Sequence, residues 1–496
     1  MSLLLVLLAA AVTAADVSLA ESQFPDTSKM NVLMIDIEDC RADVWGCFGN
    51  SICQTPNIDR LAQSGIAFDR AYCQYVCCNP SRSSFLTGLR PHSTGVLSNS
   101  HVSREKLPPD ALSLPQLLKR RGIYSANVGK LFHSSGSFNE IDMSAFDRIE
   151  FQNIPPGWSG PGPILEFPAQ EQVSQPANLR PGDPEYDAWR RSRSDRYGAS
   201  GLTDEQENDG KYARTAVALL REFKQNGKQF FLSLGSSRPH TPLVCPQKYI
   251  DMYDPRLIPL PHAPRGDDQG VPDLAVRFGR PADIWTSRTP TPDEVRATIA
   301  AYYGCVSFLD TQLGLVLNAL DELGLAENTI VIFFSDHGFH LGEHGHWSKY
   351  TLFEQSTRVP MIVRIPGNPT NGSRCDEIVE LVDLVPTLGD MLAMEVPSNL
   401  EGLSFRPLLA DPRRPWKSAS FSVFGNEGEY NSIRTKQFRY TEWLYKGELI
   451  QELYDLSTDP WETRNLAIQA ESKATQMQLA SMLKAGWSQA LPKQMK

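Results

Sequence analysis

The sequence predicts an α/β protein: a mostly parallel central sheet covered by helices on both faces, then a smaller α+β unit with an antiparallel sheet. Two observations carry this. Mostly apolar runs of strand length alternate with longer segments whose apolar positions repeat at helical spacing. From about Pro415 the pattern changes to short strand-like segments and one closing helix. At 496 residues the chain has room for about three units of ~150 residues, or for one large domain with a small partner.

The N-terminal run Leu3–Val12 is almost purely apolar and is followed by small residues, with Val12 and Ala14 placed as at a signal-peptidase site. It falls short of the roughly 20 residues a membrane span needs, so residues 1–15 read as an export signal, although no Lys or Arg precedes the run. Val32–Ile37 reads as a buried strand ending in the polar pair Glu38-Asp39. Pro56–Ser64 has Pro at its start and Gly65 past its end, a helix with both punctuation marks. Leu114–Arg121 is a helix stopped by Gly122 and leads into a strand, Ile123–Val128. A helix over Ala213–Phe223, a strand over Gln229–Leu234, a long helix over Asp293–Leu323 and a strand over Thr329–Phe334 continue the alternation. These elements define a main domain over residues 28–414. Two stretches rich in Pro, Gly and Asp, Glu140–Asp209 and Asp251–Thr291, are long enough to be site-building loops. The C-terminal unit, 415–496, carries strands at Ser420–Phe424, Asn431–Arg434 and Phe438–Trp443 and a helix near Ser472–Trp487.

Composition closes off several classes. With 41% hydrophobic and 21% charged residues the chain buries a sizeable core and is not disordered. A net charge of −10 without a long basic run argues against nucleic acid as a partner. The only long apolar run is N-terminal, so no stable membrane insertion is expected after signal cleavage. Six of the nine cysteines fall between Cys40 and Cys78, and an odd total leaves one thiol unpaired or one in chemical use. Cys40, Cys47, Cys53, Cys73 and Cys77 read as buried thiols or disulfides.

The segment Cys78-Asn79-Pro80-Ser81-Arg82-Ser83-Ser84-Phe85-Leu86-Thr87-Gly88 has Asn as an N-cap, Pro at the first helical position and Gly at the stop. Cys78 would then sit just outside a helix N-terminus, where free N–H groups favour an anion, with Arg82 one turn away. A reactive low-pKa thiol is one reading. The Cys–Arg spacing is too short for a tyrosine-phosphatase loop.

This segment resembles the type I sulfatase signature Cys-x-Pro-Ser-Arg-x-x-x-Leu-Thr-Gly at every fixed position. A second family signature stands at Gly122–His133, and the likeness continues through Arg238–Pro242, Phe334–Gly338, Leu341–Gly345, Lys349-Tyr350, Glu452–Leu456 and Asp459-Pro460. Gly129–His133, Pro239-His240, Asp336–Gly338, Ser432–Thr435 and Arg439–Trp443 are most similar to the iduronate-2-sulfatase branch. The resemblance implies an alkaline-phosphatase-like fold and an exported sulfuric ester hydrolase acting on a sulfated carbohydrate, a uronate-containing glycan in that branch. It also implies that Cys78 is oxidised to formylglycine by a formylglycine-generating maturation enzyme. The hydrated aldehyde is then the nucleophile.

By the same resemblance Glu38, Asp39, Asp336, His337 and residue 78 bind one Ca²⁺, and Arg82 favours the deprotonated nucleophile. Lys130 and Lys349 clamp sulfate oxygens, His133 removes a proton so that sulfate is expelled, and His240 serves the leaving oxygen, with the two histidine roles interchangeable. Glu38 departs from the family's usual Asp-Asp pair. One extra methylene shifts the carboxylate by ~1.5 Å, which calcium's flexible shell absorbs better than magnesium's octahedron. Asp36 shares a strand face with Glu38 and is the alternative ligand.

Other readings remain at this stage. The superfamily includes phosphodiester and phosphonate ester hydrolases, and an unconverted Cys78 would leave a non-catalytic sulfated-glycan binder. His337, His340, His344 and His346 could form a zinc cluster, although no His-Glu-x-x-His motif is present. Arg180, Arg190, Arg191, Arg193 and Arg196 with Trp189 could hold a polyanionic sugar or form a solvated helix face. Asn371-Gly372-Ser373 is a glycosylation sequon.

Overall fold

A computed structural model describes residues 23–133, 140–151, 160–167, 185, 188, 195–264, 266, 268–277, 283–285, 289–425 and 429–493. The signal segment 1–15, Trp189 and the arginines at 180, 190, 191 and 193 lie outside these residues.

The main domain contributes β1 (Asn31–Ile37), β2 (Ile66–Tyr72), β3 (Tyr124–Gly129), β4 (Arg148–Glu150), β5 (Tyr197–Ala199) and β6 (Phe230–Gly235). It continues with β7 (Leu243–Cys245), β8 (Thr329–Ser335), β9 (Arg358–Val359), β10 (Met361–Arg364) and β11 (Arg374–Glu380). The central sheet runs β11-β2-β10-β8-β1-β6-β3-β4, with β9 against β2, while β5 and β7 form a separate parallel pair. From β8 through β1, β6 and β3 to β4 every pairing is parallel. β10 is the reversed strand, antiparallel to both β8 and β2.

β1 shows why the run Val32–Ile37 is mostly apolar. Val32 and Met34 enter one core layer, and Leu33, Ile35 and Ile37 enter the other, so both faces are covered. The helix Pro292–Glu322 lies over the second layer, its stretch Thr298–Asp310 continuously buried. It starts at a Thr291/Glu294 capping box. Helices Leu114–Arg121 and Leu384–Met391 line the first layer. Gly122 ends the former in the left-handed region, at φ 78°.

The helix that carries Cys78 differs from the sequence expectation. It spans Cys78–Thr87 with Cys77 as its cap, so Cys78 is the first helical residue rather than the one before the helix. Asn79 is not the cap, because its side-chain amide donates instead to the carbonyls of Ser98 and His101 at 3.1 and 2.9 Å. Gly88 does end the helix, at φ 71°. Phe85 meets Phe334 of β8 edge-on at 5.1 Å, an aromatic pair worth about 0.5–1.5 kcal/mol beyond its burial.

The C-terminal sheet is antiparallel, in the order β12 (Ser420–Phe424), β13 (Tyr430–Arg434), β14 (Phe438–Tyr445), β15 (Glu448–Asp455). The helix Lys473–Ala485 packs on it through Leu479, against Ile433, Tyr440 and Leu453. The sequence reading lacked β15. Its polar alternation is broken by the buried Glu452, which accepts from Tyr454 Oη at 2.6 Å and from Trp443 Nε1 at 2.5 Å.

Buried ion pairs join the two units. Glu354 Oε2 is 3.0 Å from Arg434 Nε and 2.5 Å from Arg439 Nη2, and Arg439 Nε also reaches Glu462 Oε1 at 2.5 Å. Lys417 Nζ bonds Glu380 and Asp383 of the main domain at 2.8 and 2.7 Å.

Burial opposes the charge of Glu354, but Arg434 and Arg439 overcome it and hold the carboxyl at about 2, below its ordinary 4.5. A depressed carboxyl stabilises the fold above its unfolded value and loses that contribution as pH falls toward the folded value. Unfolding free energy should therefore drop between pH 4.5 and about 2. Glu354→Gln should flatten that slope and cost about 3–5 kcal/mol near neutral pH, read from denaturant unfolding across the pH range.

Candidate active site

All the expected site residues follow the carboxyl ends of sheet strands, where open α/β sheets gather ligands. Glu38 and Asp39 follow β1, Lys130 follows β3, His240 lies five residues past β6, and Asp336 and His337 follow β8. Cys78 opens the helix after β2.

Arg82 binds these ends together. Its guanidinium is fully buried, donates to Asp336 Oδ2 at 3.0 Å and to the carbonyls of Lys130 and Leu131 at 3.0 and 2.9 Å, and pairs with Asp36. Asp36 is thus committed to Arg82, whereas Glu38 turns toward Cys78. Asp336 is fixed further by the amides of Asp39 and His337, which donate to its Oδ1 at 3.1 and 2.9 Å. Asp39 adopts φ 56°, a left-handed conformation that Asp tolerates better than most residues. Tyr302 Oη donates to its carbonyl at 2.8 Å.

Around Cys78 Sγ lie His337 Nε2 at 3.4 Å, Glu38 Oε1 at 3.6 Å and Asp39 Oδ1 at 3.9 Å. His337 Nδ1 bonds the Gly338 carbonyl at 2.9 Å, and its Nε2 faces the cluster. Lys130 pairs with Glu38, and Lys349 Nζ lies 2.6 Å from Asp39 Oδ2 and 3.2 Å from Asp283 Oδ2. His240 Nε2 is 3.8 Å from Glu38 Oε1 and 3.7 Å from Asp39 Oδ2, with its Nδ1 bonded to the Thr241 carbonyl at 2.7 Å. His133, three residues beyond Lys130, lies in the field of Lys130, Arg82 and Lys349.

Burial dominates the electrostatics. It raises the Cys78 thiol well above 9, so an unmodified cysteine here is a poor nucleophile. Asp36 is pushed up to about 8 by burial, against the pull of Arg82. Asp336 goes the other way, because His337, Arg82 and Lys130 outweigh its burial. Lys130 is lowered to about 8 by burial. Lys349 rises despite its burial, through Asp283 and Asp39. His133 falls to about 3 through burial and then the neighbouring cations, and His240 falls to about 4 through burial and, against the pull of Asp39, through Lys349 and Lys130, so both rings are neutral at pH 7.

The donor set can hold a metal ion. Asp39, Cys78 and His337 present ligand atoms within 4.8 Å of one another, as do Glu38, Asp39 and His240. With Asp36 taken up by Arg82, the carboxylates of Glu38 and Asp39 are the oxygen donors that face Cys78 and His337.

The other histidines have other partners. His340 Nε2 bonds Thr351 Oγ1 at 2.7 Å, His346 Nε2 bonds the Lys349 carbonyl at 2.6 Å, and His344 pairs with Asp268 at 2.6 Å while stacking on Phe353. None of the three belongs to a metal-competent group among the described residues. None of the nine cysteines is joined to another in a disulfide, and all are buried except the half-buried Cys47. Sequence reasoning missed the supporting residues Ser81, Ser236, Asp283 and Tyr302. Ser81 Oγ donates to the Asp336 carbonyl at 2.5 Å, and Ser236 Oγ accepts from the Glu38 amide at 3.2 Å. Ser81 stands at a fixed position of the signature, whereas nothing in the local pattern of the other three signals a site, because their partners are remote in sequence.

Comparison with known proteins places this geometry. The sulfatase family model matches residues 30–394, and an N-sulphoglucosamine sulphohydrolase C-terminal model matches residues 342–489. The chain is 30% identical to human iduronate 2-sulfatase, with 89% of this chain and 91% of that protein aligned. It is also 30% identical to a sulfatase of Formosa agariphila, over 89% of this chain and 84% of that one. Among solved structures, the phosphonate monoester hydrolase of Agrobacterium radiobacter superposes with a TM-score of 0.72 at 24% identity, covering 93% of this chain and 96% of its own; it attests the fold.

Two glycines let Lys130 reach its place. Gly129 has φ 74°, and a Cβ on Gly235 would stand 1.8 Å from the Lys130 carbonyl oxygen. Gly235→Ala should cost about 1–3 kcal/mol by overpacking and displace Lys130. A lowered thermal midpoint together with a lowered turnover rate of the folded fraction is the expected result.

Proposed function

The chain belongs to the sulfatase family and is a sulfuric ester hydrolase, and from that premise we propose its particulars. The enzyme is exported, uses formylglycine at position 78 with one bound calcium, and removes sulfate from a uronate-containing glycan. One observation carries the reading: a buried Cys78, unfit as a thiolate, stands among Glu38, Asp39 and His337 at the start of a helix held by Arg82. The likeness to human iduronate 2-sulfatase supports the uronate-containing substrate.

Formylglycine supplies a hydrated aldehyde as the nucleophile. Calcium, held by Glu38, Asp39, Asp336, His337 and residue 78, supplies positive charge beside it. The chain's own groups do the rest. Arg82 fixes Asp336 and adds a cation next to position 78. Lys130 and Lys349 bind the non-bridging sulfate oxygens, where fixed positive charge is worth most. His133, neutral at pH 7, accepts the proton released at position 78. His240 and Lys349, both beside Asp39 Oδ2, contact the ester's leaving oxygen, and Lys349, which keeps its proton at pH 7, delivers it.

Cys78→Ala should abolish sulfate release while leaving the unfolding transition unchanged; retained turnover in a clean preparation would overturn the assignment. Mass spectrometry of the peptide Ala71–Arg82 should find residue 78 lighter than cysteine in active enzyme. Chelation should inactivate the protein, with calcium restoring activity better than zinc. Parallel assays on an aryl sulfate, a phosphodiester and sulfated uronate oligosaccharides should rank the sulfates first.

A further inference from the structure

The two carboxylates that hold Lys349 differ in what else they do. Asp39, whose Oδ2 lies 2.6 Å from Lys349 Nζ, belongs to the acidic group assigned above to the cation, and its Oδ1 is also 3.3 Å from His337 Nε2. A carboxylate shared with a divalent ion has less negative charge to offer an ammonium. Asp283, whose Oδ2 lies 3.2 Å from Lys349 Nζ, stands outside that acidic group.

Instead, Asp283 is built into the segment that carries the lysine. Its Oδ2 accepts from Ser348 Oγ at 2.8 Å, and its backbone N–H donates to the Trp347 carbonyl at 3.0 Å. Its side chain is 11% exposed and that of Lys349 is 2% exposed, so the pair is little screened by water. A lysine head is a freely rotating group with three donors on a flexible four-carbon stem, and on its own it has no fixed aim. Two carboxylate contacts remove that freedom and leave one N–H for a substrate oxygen.

We propose that Asp283 is the positioning residue for Lys349, keeping the ammonium aimed at the sulfate ester while Asp39 serves the cation. The inference rests on the reading of Lys349 as a sulfate-binding group. A carboxylate that merely anchored its loop would affect stability alone. A positioning residue also changes how the folded enzyme binds sulfate and how fast it turns over.

The test is Asp283→Asn in the full-length, metal-loaded enzyme, because the amide keeps an acceptor for Ser348 and loses the charge. Per folded molecule, kcat on an aryl sulfate should fall about 10- to 100-fold, the range seen when a supporting partner of a site residue is removed. Inorganic sulfate should bind about tenfold more weakly by calorimetry, for loss of a charge-assisted contact. Asp283→Glu should recover part of both. Parent-like turnover and sulfate affinity in Asp283→Asn, alongside an inactive Lys349→Ala, would overturn the proposal. An active Lys349→Ala would instead sink the assignment of Lys349, and this inference with it. Should Asp283→Asn fail to fold, Ser348→Ala removes one bond from the same carboxylate. A several-fold loss in both readouts then supports the role, and no change refutes it.

Discussion

A single buried guanidinium organises this molecule's chemistry. Arg82 reaches from the second turn of the helix Cys78–Thr87 to Asp36 in β1, to Asp336 after β8 and to two carbonyls after β3. An unpaired charge in that position would cost several kcal/mol, so each partner is needed and each strand end is fixed in turn. The helix that presents residue 78 is thereby locked to the sheet that presents the acids.

The remaining charges follow from that lock. Once Asp36 and Asp336 are spent on Arg82, Glu38 and Asp39 stand close to Cys78 and draw Lys130 and Lys349 toward them. Crowded and dehydrated, these groups depart from ordinary behaviour: Asp36 rises to about 8 and Lys130 falls to about 8. Such shifts mark a place where the chain alone leaves charge poorly balanced, as sites for ions and anionic substrates do. The neutral histidines at 133 and 240 fit the same field, since nearby cations oppose a second positive charge.

Behind the site, the C-terminal sheet acts as a buttress. Arg434 and Arg439 clamp Glu354, which lies only a few residues beyond Lys349 and just before β9. The segment bearing Lys349 is therefore held by Asp283 at one point and by the C-terminal unit at another. These buried ion pairs give the segment between β8 and β9 a defined path, although its only helical turns are the short Glu343–Gly345 and Glu354–Thr357.

The sequence by itself determined the parallel centre of the sheet (β1, β3, β6 and β8), the longer helices and the residues of the central cluster, but not the flanking strands β2, β10 and β11. Those signals are local: apolar runs such as Val32–Ile37, stop glycines such as Gly122 and Gly88, and two contiguous signatures. Only the tertiary structure decided that Cys78 begins its helix, because Asn79 spends its amide on carbonyls twenty residues away. Likewise, Asp36 and Glu38 share one strand face in the sequence pattern. The approach of Arg82 from a distant segment divides them between an ion pair and the Cys78 cluster. β15 and Asp283 escaped notice for a related reason. Their identity depends on a buried carboxylate finding partners, and such partners are chosen by the fold rather than by neighbours in the chain.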